Sequence, residues 1–211
     1  MSGPHVALMQ KGAEHKAAGR LEAALQCYRE AVRVAPQSGV AEHNLAAALG
    51  DAGRWREAEP HIRNIFAKGV DAPESWLVLA RCELAFGRLD AADDAYGQAI
   101  RRRPTLLDAY RELAQLRWMR SGRLDDALAP VDDGIRLFPA EAQFAILKAN
   151  ILSAAGEGGR AYRLLADQAA RQPLTAQLAG AVAQTAMAAS EPAVALQFAE
   201  RGADLAPGQS A

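Results

Sequence analysis

The sequence predicts an all-α fold, an α-solenoid in which six helical hairpins stack into a single array over residues 5–207, with tails at 1–4 and 208–211. Three observations predict it. Prolines close helix-like segments at Pro36, Pro104, Pro139, Pro173 and Pro207, with spacings of 68, 35, 34 and 34 residues. The first gap is twice 34, and its midpoint is Val70, so one period lacks the proline and another carries one extra residue. Gly19-Arg20-Leu21, Gly53-Arg54-Trp55, Gly87-Arg88-Leu89 and Gly122-Arg123-Leu124 each stand 17 residues before a closing position, a place taken later by Gly156 and Ser190. Finally, 50% of the 211 residues are apolar but only 6% are aromatic, a composition suited to close-packed helices that cross over alanine.

Each element follows from these markers. A glycine in the left-handed region ends one helix and turns the chain into the next, so every period reads helix, tight turn, helix. The predicted helices are 5–18, 21–34, 39–52, 55–68, 74–86, 89–102, 107–121, 124–137, 142–155, 158–171, 175–189 and 192–205, in repeats 5–38, 39–72, 73–106, 107–141, 142–175 and 176–207. Small residues recur at one offset, Ala24, Ala58, Ala92, Ala127, Ala161 and Ala195, where a larger side chain would push two crossing helices apart. Pro60 and Pro130 fall inside second helices, and the absent amide hydrogen predicts a kink at each. Pro192 falls at a first turn, where proline is tolerated. The extra residue of the fourth period falls between Arg117 and Gly122.

These positions resemble the tetratricopeptide repeat, with Trp, Leu, Gly/Ala and Tyr in its first helix and Ala, Tyr/Phe, Ala and Pro in its second. The third period carries Trp76, Leu79, Ala80, Gly87, Ala92, Tyr96, Ala99 and Pro104. The first carries Gly12, Gly19, Ala24, Tyr28, Ala31 and Pro36, and the fourth Tyr110, Leu113, Ala114, Ala127 and Pro139. The second, fifth and sixth keep Leu45-Ala46, Ala149 and Ala183 but put Ile62, Leu165 and Ala199 where the family has a large second-helix aromatic. The resemblance implies a right-handed superhelix whose first helices line a concave wall, and a protein that binds other polypeptides.

Several function classes find no support. The formal net charge is -1, so no long-range field draws in nucleic acid or an anionic membrane surface. The one basic run, Arg101 to Arg103, sits at a helix end, where cations complement the dipole. Cys27 and Cys82 lack any C-x-x-C or Cys/His spacing, so a disulfide framework and a zinc site are both unsupported. His5, His15, His43 and His61 belong to no H-E-x-x-H or H-x-D motif. Gly156, Gly158 and Gly159 fit a turn rather than a phosphate loop, and Asp93-Asp94, Asp125-Asp126 and Asp132-Asp133 are adjacent pairs of solvated surface. No enzyme, cofactor or metal is expected. The N-terminus has no leader pattern and no segment has 18 uninterrupted apolar residues, which predicts a cytoplasmic protein with no membrane partner.

What remains is a surface. In the resembled family, ligands contact the second, fifth, ninth and twelfth positions of the first helices, which here select His43, Arg81, Arg111, Gln115, Trp118, Asn150 and Gln184 as candidate peptide-binding residues. Arg forks onto carboxylates, Asn and Gln clamp a peptide backbone, and Trp anchors apolar groups. Ordinary solvated side chains, with Trp118 filling a gap beside the insertion, are the plainer alternative. The chaperone-tail carboxylate clamp of this family is disfavoured, because its five positions hold Met9, Ala13, Asn44, Glu74 and Val78.

The last hairpin is very apolar, which makes the C-terminal repeat a candidate surface for self-association or docking. Residues 109–120 are also similar to repeat regions that precede iron- and 2-oxoglutarate-dependent oxygenase domains in some bacterial proteins. The leading expectation is therefore a scaffold binding a protein or peptide ligand. The alternative is a substrate-recruiting or dimerising module of a larger bacterial enzyme.

Overall fold

A computed structural model describes residues 3–205. They are divided between two compact units, with residues 3–109 in the first and 110–205 in the second. The first contains α1 (Pro4–Ala17), α2 (Leu21–Val34), α3 (Gly39–Asp51), α4 (Trp55–Ala67), α5 (Pro73–Ala85) and α6 (Leu89–Arg102). The second contains most of α7 (Leu107–Ser121), then α8 (Leu124–Leu137), α9 (Ala142–Ala154), α10 (Gly158–Arg171), α11 (Ala176–Ala188) and α12 (Pro192–Leu205). The described residues form these twelve helices and no strand, and each predicted helix end lies within one residue of the observed one.

The hairpin turns are built as their glycines require. After α1, α3, α5 and α9 the chain turns at Gly19, Gly53, Gly87 and Gly156, all with φ between 71° and 83°. The turn after α1 is typical: Gly19 N donates to Lys16 O at 3.0 Å and Arg20 N to His15 O at 2.8 Å, satisfying two carbonyls of the last helical turn. After α11 the same pair of bonds forms around Ser190, which adopts φ 63° although it carries a Cβ.

Second helices end in two ways. Ala35, Arg103, Phe138 and Gln172 take extended or near-extended backbone, as the residue before a proline must. The second repeat has Val70 in place of that proline and stops α4 at Gly69 instead, φ 71°, with Val70 N donating to Ile65 O. Pro60 and Pro130 lie within helices that begin on time and continue past them. The extra residue of the fourth repeat is absorbed by helix: α7 is 15 residues long, against 13 for α3, α5, α9 and α11.

In the first unit Leu25, Tyr28, Leu45, Leu49, Ile62, Ile65 and Val78 form a continuous core. In the second, Leu128, Leu152, Leu165, Leu178 and Val182 do the same. The crossings are tight. A Cβ on Gly12 would lie 2.5 Å from the Tyr28 ring, and one on Gly134 the same distance from Phe144. Phe144 is in turn packed edge-on to Tyr110 at 5.0 Å. The positions that lose the family aromatic still fill the core, since Ile62 and Leu165 are buried, whereas Ala199 is exposed.

Neighbouring first helices approach one another directly, α1 to α3, α3 to α5 and α9 to α11, so one face of each unit is made of first helices. On the other side long side chains bridge second helices: Arg54, the residue after a turn glycine, reaches Glu22 at 3.4 Å, and Arg29 reaches Glu57 at 3.5 Å. Two cations of the run at 101–103 instead reach back to the turn before α5 and to α5 itself. Arg102 pairs with Asp71 at 2.6 Å and lies over the Trp76 ring, and Arg103 pairs with Glu74.

Because Ser190 holds a backbone conformation that glycine adopts without steric cost, Ser190→Gly should raise unfolding free energy by about 0.5–1 kcal/mol. The readout is the urea midpoint of the full chain, and an unchanged or lower midpoint would contradict the turn assignment.

Candidate functional site

A hollow in the second unit lies between α7 and α9, with a volume of about 310 Å³. From α7 it is lined by Arg111, Ala114, Gln115 and Trp118, which are spaced at helical intervals and so share one stripe. From α9 and its C-cap come Ile151, Ala154 and Ala155. The hollow exists because Ala114, Ala154 and Ala155 present only methyl groups where larger side chains would fill the space between the helices. Trp118 is 40% exposed, so its indole forms a wall rather than a core contact. Arg111 keeps most of its side chain in solvent and stands 3.9 Å from Glu112, longer than a charge-assisted hydrogen bond.

Three of the seven residues selected from the sequence are thus brought together: Arg111, Gln115 and Trp118. Asn150 is exposed on α9, one residue before Ile151, and Gln184 is exposed on α11. In the first unit Arg81 is half-buried on α5. His43 is held toward α5, where its Nδ1 lies 3.2 Å from Ser75 Oγ, and burial pushes its pKa below the ordinary imidazole value. The clamp positions are occupied by structure: Val78 is in the core and Glu74 is bound by Arg103. The floor residues Ala114, Ile151, Ala154 and Ala155 escaped the sequence reading, which sought polar contact positions. The available signal was the i, i+3, i+4 spacing of Ile151, Ala154 and Ala155.

A buried polar cluster in the first unit was also missed. Glu42 on α3 is 3% exposed. His61 Nδ1 stands 2.6 Å from its carboxylate, Lys68 Nζ 2.5 Å and Asn64 Nδ2 3.2 Å, all from α4 or its C-cap. Burial pushes the Glu42 pKa up, but the bonds from Lys68 and His61 more than offset it, and the carboxyl ends below its ordinary value. The cluster ties together the two helices of the second repeat. Cys27 and Cys82 are both free thiols, and burial pushes that of Cys82 up to about 11. Among the described residues no helix is long and apolar enough to cross a membrane.

Repeat architecture, turn chemistry and spacing converge on one family. Family profiles for the tetratricopeptide repeat match residues 5–38, 43–105 and 87–142, more than half of the chain. The chain is a tetratricopeptide-repeat protein. Solved structures share the fold. The repeat protein resembles pilF of Pseudomonas aeruginosa at a TM-score of 0.64 and 17% identity, over 97% of this chain and 93% of that one. It resembles MamA at 0.54 and 14% identity, over 98% and 96%. The first TPR of Spaghetti (RPAP3), bound to the HSP90 peptide SRMEEVD, matches at 0.50 and 20% identity, over 53% of this chain and 89% of that one. At these identities the likeness shows the fold alone. No curated protein matches. None of these matches carries the oxygenase connection suggested by residues 109–120.

The Glu42 cluster gives this tetratricopeptide-repeat protein a pH signature. A carboxyl whose folded pKa is depressed contributes stability above the ordinary value of 4.5 and loses it as pH falls through the folded value. Glu42→Gln leaves Lys68 without its buried anion and should cost about 3 kcal/mol at neutral pH. In urea titrations the gap between wild type and variant should narrow as the pH falls below the ordinary carboxyl value of 4.5. A gap independent of pH would show that the cluster is not ionic.

Proposed function

We propose that this protein is a non-catalytic interaction scaffold that lays a peptide, or an extended segment of a partner protein, across the α7–α9 groove. The observation that carries the reading is the hollow itself. It has an apolar floor, an exposed indole as a wall, and Arg111 and Gln115 as the polar atoms of its lining. A site of this make-up buries an apolar anchor and orients it with a few polar groups. Asn150 and Gln184 extend the polar first-helix surface of the same unit, and His43 and Arg81 contribute to that of the first. The fold supports the reading too, for repeats of this family commonly mediate protein–protein contacts, and the RPAP3 repeat domain was solved with a peptide bound. The disfavoured clamp residues separate this proposal from recognition of the HSP90 tail.

The test is selection from a displayed random-peptide library on the full chain. Peptides recovered on wild type are expected to bind Trp118→Ala about 10–30-fold more weakly, the loss typical of an interface anchor, with unchanged helical circular dichroism. Peptides that bind wild type and Trp118→Ala equally would remove the groove as the site.

A further inference from the structure

A polar contact joins the first helices of the second and third repeats, within the first unit. His43 stands on α3 and Ser75 on α5, and Nδ1 of the ring lies 3.2 Å from the hydroxyl oxygen. Ser75 has no exposed area, and His43 is half-buried. With Nδ1 bare, the hydroxyl donates to it and both polar atoms are satisfied. Once the ring takes a second proton, Nδ1 carries a hydrogen, and the hydroxyl must turn its own away inside a buried residue. The cation so formed also stands beside the first turn of α5, of which Ser75 is the third residue, and unpaired amides make that end of a helix positive.

The charged groups around the ring do not reverse this preference. Glu74 of α5 favours the cation, but its carboxylate is already bound by Arg103. Lys16 of α1 opposes the cation and is itself paired with Asp51 of α3 at 2.6 Å. From α4, His61 and Lys68 approach the adjacent residue, Glu42. From α2, Leu25 and Tyr28 join the core that α3 shares. Burial is the largest influence on the ring, and it holds the His43 pKa below the ordinary 6.5.

We infer that His43 and Ser75 form a proton-sensitive latch between the second and third repeats, closed when the ring is neutral and loosened when it is charged. In a stack held together by nearest-neighbour interfaces, loosening one of them uncouples the hairpins on its two sides. The unfolded chain takes up the proton at the ordinary imidazole value, and the folded chain only below it. The latch therefore contributes its full stability above pH 6.5 and loses it as the pH falls through the folded value. That window lies above the window of the Glu42 cluster, which opens below 4.5, so the two acid responses are separable.

Proton NMR titration of the His43 ring in the full chain, with His43→Gln and Ser75→Ala as variants, tests the latch. The ring should titrate below 6.5 in wild type, and nearer to 6.5 in Ser75→Ala, which leaves it buried but removes its donor. Between about pH 7.5 and about pH 5.5 the wild type should lose both urea midpoint and amide-exchange protection over residues 77–80 of α5, and His43→Gln should lose less of each. Every other titratable group is common to the two chains, so the difference belongs to His43. A ring that titrates at or above 6.5, or equal losses in wild type and His43→Gln, would overturn the latch. Should His43→Gln fail to fold, Ser75→Ala takes its place, and α5 protection that falls as far in it as in wild type would overturn the latch as well.

Discussion

The fold depends on the absence of clearance where the two helices of each hairpin cross. Ala24, Ala58, Ala92, Ala127 and Ala161 have no exposed area, and Ala195 has 4%. Each is the point at which a second helix leans on its partner, and a methyl group sets that spacing. The facing position in the first hairpin is as tight, as Gly12 beneath the Tyr28 ring shows, and so is the contact between hairpins where Gly134 lies beneath Phe144. With spacing fixed in every hairpin, the apolar stripe left over on one can meet that of the next, and a continuous core grows from units too small to fold alone. The same spacing lets neighbouring first helices stand side by side, so that one face of each unit is made of first helices.

What was legible in the sequence is what is local. Helix ends could be read because they are set by residues with special backbone preferences: glycine at φ > 0, proline with an extended residue before it, and proline at a first turn. Even the irregularities obeyed this logic. The missing proline at Val70 is answered by Gly69, and Ser190 takes the left-handed conformation that glycine takes at the other turns. Pro60 and Pro130 are local features too, and both lie inside helices that continue past them.

The site was legible in part. Family spacing placed Arg111, Gln115 and Trp118 on one stripe because a helical period suffices to do so. The hollow they border depends on what faces them across α9, and a side chain too small to fill a space is not visible as a signal in one sequence. The same holds for Glu42, whose carboxylate is buried only because His61, Asn64 and Lys68 come from a second helix to meet it. His43, a contact position by spacing, also has a neighbour that one sequence does not show, Ser75 Oγ of the next repeat at 3.2 Å from its Nδ1.

The claim beneath all of this is that the methyl group at each crossing is the largest group the hairpin accepts. Ala161→Leu in the groove-bearing unit measures it, with Ala199→Leu, at an exposed second-helix position, as the control. Urea denaturation should show a loss of about 1–3 kcal/mol for Ala161→Leu and a change within about 0.5 kcal/mol for Ala199→Leu. Equal, small changes in the two would mean that the crossings have room to spare, and that something other than their spacing brings the hairpins into register.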